Sequence, residues 1–161
     1  VCRYCGQPNA ACDEPGPATA NNTQTTAYDF GNINDDDASG KEVCGIFKGA
    51  TAADTDWYKY GGYTEYVFGV SVYKNDPSLS IYATTHVHAC IYTSCGAADF
   101  ICPAGTTFDM APLGQRGCCQ DIASGGAGMD IPSSCSGPEV WMSVKSTDAT
   151  ACTGYDLKVH F

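Results

Sequence analysis

Eleven cysteines in a chain of 161 residues limit this sequence more than any other feature. They are Cys2, Cys5, Cys12, Cys44, Cys90, Cys95, Cys102, Cys118, Cys119, Cys135 and Cys152. Such a load argues for an oxidising compartment and a fold stapled by disulfides. Structural zinc is the rival reading, and it needs paired knuckles or one knuckle with a His pair. Cys2-x2-Cys5 is the only knuckle here. Haem attachment fails as well, because Gly6 stands where a His would follow that knuckle. The odd count leaves one thiol over, either bridging to another chain or buried and inert. Pairing does not follow from spacing, and the adjacent Cys118 and Cys119 could serve two bridges or one vicinal bond.

Size and charge narrow the function classes. The length suits one domain. No run of about 18 apolar residues is present, so no membrane insertion is expected. The chain begins at Val1 without a charged-then-apolar leader, which reads as a processed mature end. Eight Lys and Arg stand against 18 Asp and Glu, a net charge of −10. A phosphate backbone or an anionic membrane would repel it. An acidic surface suits a secreted protein, with or without bound calcium.

Along the chain, residues 1–25 carry three cysteines and three prolines but almost no large aliphatic residue. They read as an extended N-terminal arm that cannot fold alone. Asn21-Asn22-Thr23 within it is a glycosylation sequon. Short alternating runs follow at 26–30, 42–48, 57–60, 63–73, 79–84, 87–93, 139–145 and 155–161, separated by Gly, Asn, Asp or Pro. Gly61-Gly62 reads as the turn of an aromatic hairpin. Residues 94–136 read as irregular and cysteine-dense, with disulfides replacing a core and at most a short strand near Ile122. No amphipathic helix is visible. The pattern predicts an all-β, disulfide-rich antiparallel β-sandwich over residues 26–161, with the cysteine-bearing arm over 1–25.

Several motifs resemble a known family. Asp54-Thr55-Asp56-Trp57-Tyr58 is similar to the signature of bacterial pre-peptidase C-terminal domains, and residues 155–161 resemble their last strand. Cys102-Pro103-Ala104-Gly105-Thr106, Gly117-Cys118-Cys119, and Cys135 ahead of Val140 resemble a cysteine-rich, myxobacterial-type subgroup. The resemblance covers about residues 26–161 and implies a jelly-roll-like sandwich. It implies a secreted or cell-surface accessory that assists binding or secretion rather than catalysis. No catalytic domain accompanies the motifs here, which favours a stand-alone task.

Four candidate chemistries follow. Asn34, Asp35, Asp36 and Asp37 offer hard oxygens for calcium, although an acidic loop is also simply a solvated one. Some relatives in the resembling family bind calcium before and at the aromatic motif, which would add Asp54 and Asp56. The spacing is not that of an EF-hand. His86, His88 and Cys90 alternate onto one strand face and could meet a transition metal. Trp57, Tyr58, Tyr60, Tyr63 and Tyr66, clustered with Tyr73, Tyr82 and Tyr92, could present an aromatic face to a sugar or protein, while about half of this cluster packs the sandwich. No nucleophile elbow or zinc-protease motif is present, so no catalytic residue is expected. The leading expectation is a non-catalytic extracellular structural or adhesive subunit. It assembles with copies of itself through the arm, added as a strand to a neighbour's sheet. The alternative is an accessory module for a surface glycan or protein, with calcium as its one candidate cofactor.

Overall fold

The computed structural model describes residues 21–34, 40–47, 54–63, 66–67, 70–71, 77–96, 100–131, 138–147 and 153–161. Among these residues, twelve strands follow a 3-10 turn at Gln24–Thr26. They are β1 (Tyr28–Asn34), β2 (Lys41–Phe47), β3 (Thr55–Tyr63), β4 (Tyr66–Val67), β5 (Val70–Ser71) and β6 (Ser78–Ala83). The remainder are β7 (Val87–Thr93), β8 (Thr107–Met110), β9 (Arg116–Ile122), β10 (Gly125–Asp130), β11 (Glu139–Ser146) and β12 (Thr153–His160). A six-stranded sheet runs β1-β3-β11-β7-β9-β8 and a four-stranded sheet runs β10-β6-β12-β2, with β4 and β5 forming a short ribbon. Every pair is antiparallel except β1 with β3. No helix among the described residues is long and apolar enough to cross a membrane.

Alternation builds the core. Tyr58 and Tyr60 of β3, Val87, Ala89 and Ile91 of β7, and Val140, Met142 and Val144 of β11 face inward from the larger sheet. Val43 and Phe47, Leu79 and Ile81, and Tyr155, Leu157 and Val159 answer from the smaller one. The two sheets also share buried polar groups. Tyr155 Oη donates to Asp56 Oδ2 at 2.5 Å. Tyr58 Oη, also 2.5 Å from Tyr155 Oη, can then donate to it. Buried hydroxyls need such partners. Gly45 makes room for Tyr155, since any side chain there would strike the phenol.

The outer face of the larger sheet is also covered. Trp57, Cys90, Tyr92, Cys119, Trp141 and Ala111 form a second cluster, with Ala27 against it. Residues 21–27 lie on this face. Asn21 O accepts from Trp57 N at 2.8 Å, Gln24 Oε1 accepts from Leu113 N at 2.8 Å, and Gln24 Nε2 donates to Gln115 Oε1 at 2.6 Å. The described end of the arm therefore packs on its own sheet. Residues 1–20 lie outside the described residues, as do Cys2, Cys5, Cys12, Cys135 and Cys152.

The disulfide expectation is met. Cys90 bonds Cys119 and Cys102 bonds Cys118, while Cys44 and Cys95 are disulfide-bonded too. The adjacent pair thus serves two bridges. Two expectations need correction. Gly61 and Gly62 do not form a turn but lie inside β3, because Asn32 and the Phe161 ring occupy the space their side chains would fill. Residues 94–136 are not irregular throughout, since β8, β9 and β10 lie there. Gly117 stays on β9 because the Tyr92 ring fills the position of its absent Cβ.

Candidate functional site

The outer side of β10-β6-β12-β2 carries a groove among the described residues. Its ladders set the residues in rows. Tyr82 stands between Gly126 and Asp156. Ser80 stands between Gly128 and Lys158, and Glu42 pairs beyond Lys158. Since side chains on one face recur every second residue, these rows share one surface. They line a groove of about 500 Å³. Its floor is low where glycine replaces a side chain. A Cβ at Gly126 would meet nothing closer than 3.8 Å, and at Gly128 nothing closer than 3.6 Å. Side chains would fit there, but they would fill the groove. Tyr82 rises beside the floor with 55% of its surface exposed.

Glu42 and Asp156 both line the groove from adjacent strands. Burial raises the Asp156 carboxyl above its ordinary range, Glu42 raises it further, and the terminal ammonium and Lys158 oppose them. Asp156 Oδ1 is buried without a hydrogen-bond partner. No ion pair joins Lys158 to either carboxylate among the described residues. Of these groove residues, sequence reasoning offered Tyr82 alone, as one of a cluster of tyrosines. The polar positions of Tyr155–Phe161, alternating with the apolar ones, were the available signal.

A second polar cluster lies where residues 21–22 meet the start of β3. Asn21 is 1% exposed, yet its Oδ1 and Nδ2 have no partner. Asn22 Oδ1 and Asp54 Oδ1 are likewise buried and unpartnered. Burial raises the Asp54 carboxyl, against a hydrogen bond from Asn22. Unsatisfied hard oxygens of this kind fit a calcium ion. The six-residue calcium set does not hold together as proposed from sequence. Asn34 pairs opposite Tyr63 at the far end of β3, about 30 Å from Asp54 at the strand rise of a sheet. Asp56 is buried at the sheet interface and accepts from Tyr155. Asp35, Asp36 and Asp37 lie outside the described residues.

The aromatic face also needs correction. Trp57, Tyr58 and Tyr60 are buried, Tyr58 and Tyr60 in the main core and Trp57 stacked on Tyr92 beneath the outer cover. Tyr63 is exposed, and of Tyr66 only the backbone is described. Asn21 of the sequon is buried and so not presented to a glycan-transferring enzyme. His88 Nδ1 lies 2.7 Å from Asp121 Oδ1, and His88 converges with Cys90 and Cys119. Those two sulfurs are bonded to each other.

No protein-family model matches the chain, and no curated protein matches it. Among solved structures, the pre-peptidase C-terminal domain of a collagenase from Bacillus anthracis aligns with a TM-score of 0.39 and 10% identity, over 83% of this chain and 93% of that one. This chain is similar to that domain. CorA, a surface-associated copper-binding protein of Methylomicrobium album BG8, aligns with a TM-score of 0.38 and 6% identity, over 81% of this chain and 97% of that one. At this level of overlap neither likeness lends a residue its role.

Proposed function

We propose that the chain is a non-catalytic extracellular binding module that holds a saccharide on the outer face of its four-stranded sheet. The observation that carries this reading is the glycine-floored groove with one exposed tyrosine and a ring of hydrogen-bonding groups. A sugar has an apolar ring face and a hydroxyl rim. Tyr82 offers an apolar surface to the ring. Ser80 and Lys158 donate to hydroxyls, and Glu42 and Asp156 accept from them. A few polar groups around an otherwise bare concavity suit a small ligand unit. Disulfides throughout the described cysteines support an oxidising, extracellular setting.

Calorimetry against a panel of soluble oligosaccharides tests this. Tyr82→Ala and the groove-filling Gly126→Val should each weaken binding by about tenfold or more, which is ~1.4 kcal/mol. Binding that survives both changes, or no binding to any saccharide, refutes it.

Calcium is the second part of the reading. Asn21, Asn22 and Asp54 would hold the ion through their unpartnered oxygens. When bound, it would supply the charge these buried groups lack and fasten residues 21–22 to β3. Such an ion would lie away from Asn34.

A further inference from the structure

We propose that His88, Cys90, Cys119 and Asp109 form a zinc site on the outer face of the larger sheet, opened when the Cys90–Cys119 disulfide is reduced. The site lies apart from the groove and does not rest on it. Cys90 stands opposite Cys119 on the β7–β9 ladder, and two residues away His88 stands opposite Asp121. Side chains two apart share a face, so all four stand together. A ring nitrogen of His88 and the two sulfurs lie within 4.8 Å of one another. Asp109 Oδ2, from β8, lies 3.7 Å from Cys119 Sγ. Two thiolates, one imidazole and one carboxylate make a four-ligand set that tetrahedral zinc accepts. Two further contacts hold those ligands in place. His88 Nδ1 is 2.7 Å from Asp121 Oδ1, which fixes the ring and leaves its other nitrogen for a metal. Tyr92 Oη donates to Asp109 Oδ2 at 3.0 Å. A bridge that only stapled two strands would need none of these polar neighbours. Trp57, Trp141 and Ala111 pack in the same cluster as the sulfurs, while His88, with 35% of its side chain exposed, gives an ion its way in.

The redox step is a thiol–disulfide exchange. A dithiol reductant supplies two electrons and two protons. The Cys90–Cys119 bond breaks, both cysteines become thiols, and the reductant closes into its own disulfide. Zinc then displaces the two thiol protons and binds the thiolates. While the bridge holds, neither sulfur is a thiolate and the site takes no zinc.

Anaerobic titrations of the full chain test this, with zinc followed by competition against a chromophoric chelator and cobalt followed by its own absorption. The oxidised protein should bind neither ion through sulfur. After treatment with dithiothreitol and its removal, the protein should bind cobalt with sulfur-to-metal charge transfer and the d–d bands of a tetrahedral ion. His88→Ala should weaken zinc binding by about tenfold or more, and Asp121→Ala, which removes the group that orients His88, by about tenfold. Cys90→Ser with Cys119→Ser keeps every other cysteine and should lose one bound ion per chain. Circular dichroism on the same samples follows the fold. If His88→Ala binds zinc as the native protein does, thiols elsewhere are the ligands and the inference falls. It falls as well if the oxidised protein binds zinc equally tightly, or if the reductant leaves the Cys90–Cys119 bond intact in the folded chain. Reduction that unfolds the chain, with no recovery on adding zinc, overturns it too.

Discussion

Asp156 shows how one side chain ties stability to pH. Burial and Glu42 hold its carboxyl above the ordinary range, so the native state binds its proton more tightly than the unfolded chain does. Its favourable contribution is therefore complete below the unfolded carboxylate value, about pH 4, and is lost as pH rises through the raised value. Asp156→Asn removes that loss. Denaturant melts across a pH series should show the variant gaining on the native protein as pH rises, by roughly 0.5 kcal/mol at neutrality after allowance for solvent screening. A constant difference at every pH would contradict this cause. Tyr155 is the buried counterpart. Burial drives its phenol well above the ordinary range and keeps the proton available for Asp56. Tyr155→Phe keeps the ring and deletes only the hydroxyl, which should cost about 2 kcal/mol in denaturant unfolding. A cost near zero would show that the Asp56–Tyr155 contact does not support the sheet interface. Asp54→Asn should abolish a calcium-induced rise in melting temperature that the native protein shows after chelator treatment. Absence of such a rise in the native protein would remove calcium from the account.

Elements explain what could and could not be read from the chain. The inward alternation of β6, β7, β11 and β12 is plain in the sequence because each strand carries its own apolar period. β10 hides, since Gly125, Gly126 and Gly128 erase the period that would reveal a strand. Trp57, Tyr58 and Tyr60 read as a face because three aromatics crowd one strand. Alternation sends Trp57 one way and the tyrosines the other, but it cannot say that residues 21–27 and Ala111 cover the outer side. Pairing order is non-local, so the grooved sheet was not legible either. Sulfur chemistry acts at this scale too. The bridge from Cys102 to Cys118 closes a loop with a sequence separation of 16. Replacing the pair with Ser and Ala should lower unfolding stability by about 3 kcal/mol. A loss of under ~1 kcal/mol would mean that β8 and β9 are held without it.

Over the whole molecule, two sheets divide the labour. The larger sheet is packed on both faces, by the core on one and by the chain's own N-terminal segment on the other. The smaller sheet gives one face to the core, and the groove lies on the other. The all-β class, the sandwich and the disulfides were all present in the cysteine count and the short alternating runs. The ligand face was not, because it depends on which strands become neighbours. An amide-resolved NMR titration with a soluble oligosaccharide tests the central claim most directly. The account predicts shifts concentrated in β6, β10 and β12, with β3, β7 and β11 quiet. Shifts centred on the six-stranded sheet, or none at saturating sugar, would contradict it.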